Sequence, residues 1–159
     1  MKYQMRQKLA AVGDDSWIED EQGTRVFKVN GKAMRMRDTF ILEDAVGGEV
    51  AKIQERKMHV RDTMAIERDG KKIAEVHKRL VGFRDRLKVD LEGGDELFVK
   101  GKLGDHEYTI KGEHGTVAEI SKKWFRVRDT YGIDVEPDQD DALIIAITVA
   151  VDSLSEVLD

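Results

Sequence analysis

Residues Asp140 to Leu154 read D-D-A-L-I-I-A-I-T-V-A-V-D-S-L, and the ten from Ala142 to Val151 carry no charge, with Thr148 their single polar side chain. Over such a run a doubly buried strand and a buried helix look alike. The β-branched residues Ile144, Ile145, Ile147, Thr148, Val149 and Val151 lean towards strand. Three features outweigh them. Asp138 is placed to cap a helix, and Asp140 and Asp141 make its first turn acidic. Apolar residues continue at Leu154, Val157 and Leu158, a spacing of three and four rather than two. A segment of about eighteen residues is also long for a strand, whereas as a helix it spans about 27 Å. The stretch therefore predicts a helix, about 139–157, that is apolar on every side.

Such a helix must be surrounded by lipid or by the rest of the chain. A membrane span needs about twenty apolar residues. This run has ten, bracketed by Asp140, Asp141 and Asp152. The preceding chain is thus expected to build a wall around it, with no transmembrane segment.

The 159 residues fit one domain, 1–159, with 37% charged and 6% aromatic residues, so the core is mainly aliphatic. A net charge of −5 gives no global attraction to nucleic acid. The absence of cysteine removes disulfides and thiolate chemistry and fits a reducing compartment. The first residues hold no apolar core of signal-peptide length, so cytoplasmic residence is the expectation.

Glycines punctuate the chain before the helix, nearly all between short alternating runs. Trp17–Gly23 turns into Arg25–Val29, and Phe40–Asp44 turns through Gly47-Gly48 into Glu49–Ile53. Met64–Asp69 turns at Gly70, Leu87–Leu91 at Gly93-Gly94, and Tyr108–Lys111 between Gly112 and Gly115. These are hairpin signals between period-2 runs. They are also copies of one unit. M-R-M-R-D-T-F-I-L-E-D at 34–44 matches M-H-V-R-D-T-M-A-I-E-R at 58–68 and F-R-V-R-D-T-Y-G-I-D-V at 125–135. V-G-F-R-D-R-L-K-V-D-L at 81–91 matches more loosely, and an Arg-Asp pair recurs at 37, 61, 84 and 128. Each unit of about 23 residues reads as a strand, a tight Arg-Asp corner and a hairpin.

About a dozen antiparallel strands and one apolar helix predict a mainly β fold, a closed barrel threaded by the helix. Closure removes the sheet edges, and the helix fills a lumen too wide for strand side chains alone. Alternation would turn Met34, Met36, Met58, Val60, Phe125 and Val127 inward, and Arg35, Arg37, His59, Arg61, Arg126 and Arg128 outward.

Several motifs share one pattern: Tyr3-x-Met5-x-Gln7-Lys8, Asp20-x-x-Gly23, Val29-x-Gly31-Lys32-Ala33, Ala118–Phe125, Arg128–Ile133 and the closing Ala142–Ala146. Together they resemble the LURP-one-related family, a tubby C-terminal-like domain, across essentially the whole chain. The resemblance implies a twelve-stranded barrel around a hydrophobic C-terminal helix and a poorly defined molecular function. Its better-known relatives, tubby proteins and phospholipid scramblases, bind phosphoinositides and act at membranes respectively. No segment here matches the tubby phosphoinositide motif.

The outward basics Arg35, Arg37, Arg61, Arg126 and Arg128, with Lys122 and Lys123, form a candidate patch for an anionic ligand such as a lipid headgroup. The alternative is that each Arg-Asp pair is structural, the other basics meeting carboxylates on the next strand. The four histidines, His59, His77, His106 and His114, lack metal-ligand spacing, so neither a metal nor another cofactor is expected. No G-x-S-x-G occurs, and the glycine pairs read as turns rather than phosphate loops. The functional expectation is a non-enzymatic domain binding an anionic ligand on its surface. A protein-interaction scaffold is the alternative, and an uncharacterised hydrolase a weaker one.

Overall fold

Two aspartates show how the chain turns. Asp20 Oδ1 accepts hydrogen bonds from the Gln22 and Thr24 amides at 2.9 and 3.0 Å, and Asp44 Oδ1 from Val46 and Gly48 at 3.1 and 2.8 Å. Gly23 and Gly47 close these turns with φ of +79° and +91°, a region that glycine enters without steric cost. The ladder beside four hairpin turns slips register, between Ile18 and Glu19, Leu42 and Glu43, Ile66 and Glu67, and Ile110 and Lys111. A bulge at the same place in these four hairpins adds twist there, while the β8–β9 hairpin keeps its register.

The structure, a computed structural model, describes residues 1–6, 15–33, 38–57, 60–78, 87–124 and 130–158. Among these residues are twelve strands: β1 (Lys2–Arg6), β2 (Asp15–Asp20), β3 (Arg25–Ala33), β4 (Asp38–Asp44), β5 (Glu49–Lys57), β6 (Val60–Arg68), β7 (Lys71–Lys78), β8 (Leu87–Leu91), β9 (Glu96–Lys102), β10 (Glu107–Gly112), β11 (Gly115–Ser121) and β12 (Thr130–Val135). Each pairs antiparallel with its chain neighbours, and β1 pairs with β12, from Lys2 opposite Asp134 to Arg6 opposite Thr130, closing the barrel. The one helix, α1 (Asp141–Leu158), runs through the lumen.

The period-2 pattern explains the wall. On β5 and β6, Ala51, Ile53, Met64 and Ile66 are buried against the helix, while Lys52 and Glu67 face outward. From Ile144 to Ser155 every helix residue is buried, Ile145, Ala146, Ile147 and Val149 completely. Each fully buried aliphatic side chain contributes about 1.5–3 kcal/mol through removal from water. The core is therefore one cylinder, with α1 as its axis.

The helix starts later than its sequence signals suggest. Asp138 has φ of +67° and lies in the preceding turn. The cap is Asp140, whose Oδ1 accepts from the Leu143 amide at 3.1 Å and whose carbonyl accepts from Ile144 at 3.0 Å. Arg68, at the end of β6, grips the same carboxylate at 2.8 and 3.2 Å, and the Tyr3 hydroxyl donates to Asp141. The Arg68 hydrogen bond holds the Asp140 carboxyl below its ordinary value. Its contribution is thus present above about pH 4 and lost as pH falls through the depressed value. Asp140→Ala removes the cap and the ion pair together, and is expected to lower stability by about 1–2 kcal/mol, read from urea melts at pH 7. Asp140→Asn keeps a capping oxygen and should lose less.

Because the strands alternate in direction, the barrel has two distinct rims. The helix-entry rim carries the turns at 21–24, 45–48, 69–70, 92–95, 113–114 and the approach to α1 at 136–140. The helix-exit rim carries the ends of β7, β9 and β11 and the starts of β8, β10 and β12. Of the expected Arg-Asp corners, the pair at 61–62 lies inside β6 rather than between strands, and Asp38 is the first residue of β4. Val60 pairs with Lys57, but the next β5–β6 pair is Glu55 with Met64, so Arg61 and Asp62 lie where the ladder slips register, at a bulge near the start of β6.

Candidate functional site

Of the expected anionic patch, Lys122 and Lys123 are described. They sit in the turn that leaves β11 at the exit rim, Lys123 exposed and Lys122 half-buried. That turn is held from below by Glu107, whose carboxylate accepts from the Ser121 hydroxyl at 3.0 and 2.9 Å and from the Lys122 amide at 3.0 Å. Ser121 Oγ in turn accepts from the Lys123 amide at 3.1 Å. Arg61 lies on β6, its side chain outside the described set, and Arg35, Arg37, Arg126 and Arg128 lie outside the described residues altogether. So do Met34, Met36, Met58, His59, Phe125 and Val127, and the side chain of Val60.

The described outer wall alternates in sign. Lys28 meets Glu43 at 3.6 Å, Lys52 meets Glu67 at 4.0 Å, and Arg56 meets Glu75 at 3.3 Å. Lys88 bridges Asp90 at 3.3 Å and Glu96 at 2.8 Å, and His77 Nε2 lies 2.7 Å from Asp90. Both tryptophans are half-buried on this outer side beneath cations. Arg25 and Lys28 lie 4.9 and 5.5 Å from the Trp17 ring centre, and Lys2 5.2 Å from that of Trp124.

Sequence reasoning missed a polar cluster inside the exit rim. Asp152 interrupts the apolar helix and is 6% exposed. The Tyr131 hydroxyl, from β12, donates to its Oδ2 at 2.5 Å. His106 Nδ1, from the turn before β10, is 3.2 Å from its Oδ1, and the imidazole stacks on the Tyr131 ring at 4.2 Å and 10°. The fourth member, Tyr108, lies beside Thr148, whose hydroxyl donates to the Ile144 carbonyl at 2.9 Å. Among the described residues, Tyr108 Oη, His106 Nδ1 and Asp152 Oδ1 make no aligned hydrogen bond.

Burial dominates the electrostatics here. It pushes the Asp152 carboxyl above its ordinary value, and His106 and Tyr131 oppose the rise. It also drives the Tyr131 and Tyr108 phenols well up, with Asp152 adding to both. A charged residue four positions after Thr148 on an otherwise apolar helix was the available signal. Its partners, 21 and 46 positions upstream, are brought together only by the barrel.

The described residues include no helix long and apolar enough to cross a membrane. Comparison with known proteins agrees with the architecture. Over 148 residues the chain is 24% identical to the uncharacterized protein YxjI of Bacillus subtilis (strain 168), covering 93% of this chain and 90% of that protein. The X-ray structure of the Arabidopsis thaliana protein AT5G01750 superposes with a TM-score of 0.69 at 20% identity, covering 99% of this chain and 92% of that one. That likeness places the chain among tubby-like folds. The family model described as LURP-one-related matches residues 1–152. A match of that extent, on a helix-threaded barrel of twelve strands, establishes that the chain belongs to the LURP-one-related family.

Proposed function

We propose that the barrel is a non-enzymatic binding domain that presents its helix-exit rim to anionic groups of the phosphoinositide type. The observation that carries this reading is the polarity of the barrel along its axis. Exposed carboxylates crowd the entry rim: Glu21, Glu49, Asp69, Glu92, Asp95, Glu113, Glu136 and Asp138. Two of the cations there are already engaged, Arg68 by Asp140 and Lys71 by Glu92. The wall is a set of matched pairs, so an anion gains little on it. The exit rim differs, with exposed Lys102 and Lys123 and half-buried Lys78 and Lys122. By sequence, Arg35, Arg37, Arg61, Arg126 and Arg128 fall in or beside the segments that join strand ends of this rim.

Each basic residue near an anionic bilayer gains about 1 kcal/mol. Against that stand exposed Asp105 on the same rim and a net charge of −5. Salt screening confines the attraction to about 8 Å. The expected result is weak, salt-sensitive co-sedimentation with phosphoinositide vesicles, none with neutral ones, and loss of binding in the Arg35→Glu/Arg37→Glu/Arg126→Glu/Arg128→Glu variant. Binding that survives both physiological salt and charge reversal would place the contact elsewhere.

The alternating wall favours a second reading, a protein-interaction scaffold. Trp17 under Arg25 and Lys28 is a suitable anchor for a polypeptide partner. Absence of vesicle binding at low salt would favour it.

A further inference from the structure

The cluster at the exit end of the lumen has no part in the binding reading, yet it joins four separate pieces of chain. Asp152 belongs to α1, Tyr131 to β12, Tyr108 to β10, and His106 to the turn at 103–106. Its two contacts with the carboxyl are the Tyr131 hydrogen bond at 2.5 Å and the His106 approach at 3.2 Å. The same helical turn is tied locally by Ser155 Oγ, which donates to the Asp152 carbonyl at 2.9 Å. We propose that Asp152 and His106 form a proton-operated latch that seats the C-terminal turns of α1 against the β9–β10 turn, closed while the pair holds a proton and loosened when it is lost.

Geometry sets the direction. With one proton between them the imidazole and carboxyl have no net charge, whichever atom carries it. Removing that proton leaves a net negative charge among apolar groups, which is costly in a low-dielectric interior. The titratable groups acting on Asp152 are His106 and Tyr131, and Asp152 in turn raises Tyr108. From β5 the inward carboxylate is Glu55, occupied by the Asp38 amide at 3.2 Å. β6 and β7 present Met64, Ile66, Ala74 and Val76 to the helix, and none of these titrates. No cation among those groups offsets the charge left behind. Burial raises the Asp152 carboxyl, so its stabilising contribution is complete below the unfolded value of about 4 and is lost as pH rises through the folded one.

The latch and the anionic-ligand reading stand on different residues, and either can fail alone. The test is amide hydrogen exchange on the full chain from pH 5 to 9, converted to opening constants. Opening of amides 103–108 and of α1 beyond Asp152 should rise with pH, by up to about tenfold per unit for one proton, while Ile144–Thr148 stay protected. In Asp152→Asn the rise should vanish. His106→Phe keeps a ring over Tyr131 but removes the imidazole from the pair, so its midpoint should move. Flat opening constants in the parent protein, an equal slope in Asp152→Asn, or an unmoved midpoint in His106→Phe would each overturn the latch. If Asp152→Asn does not fold, the parent profile and His106→Phe decide.

Discussion

Ile145→Asp is expected to leave no cooperatively folded protein. Ile145 is fully buried in the lumen, between Ile144 and Ala146, which are 2% and 0% exposed. An unpaired carboxylate there costs several kcal/mol, against a total stability of about 5–15 kcal/mol for a domain. The carboxyl can evade ionisation by binding a proton, but it still lacks hydrogen-bond partners and the shape of the isoleucine it replaces. The contrast with Asp152 is instructive, because that aspartate has Tyr131 and His106 against its two oxygens. Near-ultraviolet circular dichroism and a thermal melt check the outcome. Ile145→Val, losing about 0.5–1.5 kcal/mol, is the control that should keep both signals.

A large effect is also expected at Gly101. It lies on β9 opposite Tyr108, with φ of +132°. A Cβ there would stand 2.6 Å from the Glu107 carbonyl oxygen and 2.8 Å from Tyr108 Cα. Both obstacles are backbone of the paired strand, so neither can rotate aside, and relief requires parting β9 from β10 at the buried cluster. Gly101→Ala should therefore lose about 3 kcal/mol or more, lowering the melting temperature by roughly 6–12 °C. Gly23→Ala is the comparison, because Gly23 has φ of +79° but no atom within 4 Å of its Cβ position. Equal losses in the two variants would show that close approach at Gly101 does not matter.

Much of this architecture is written locally. The uncharged run from Ala142 to Val151 identifies the axial helix, and Asp20-x-x-Gly23 and Asp44-x-x-Gly47 specify turns whose bonds span at most four residues. The repeated copies then make strand number and closure follow from one unit. What escaped depends on contacts distant in sequence. The shift of the cap from Asp138 to Asp140 reflects Arg68, 72 positions upstream, which anchors Asp140 on the rim. Gly101 reads as an ordinary lysine-flanked glycine until β10 is laid against it. Asp152 looks like the polar end of an apolar run, because its partners are delivered by strand order alone. The basic patch was visible as composition, but only Lys122 and Lys123 have described side chains, and their rim is defined by strand direction, which composition does not contain.

The central claim is that the wall and the helix form one cooperative unit, neither able to persist alone. Its most direct test is the chain truncated after Glu136, which keeps all twelve strands and removes α1. The truncate is expected to show no cooperative thermal transition and no native-like circular dichroism, since its inward aliphatic faces would line an unfilled lumen. A soluble truncate that melts cooperatively and retains the parent's spectrum would contradict the helix-filled barrel as the source of the fold.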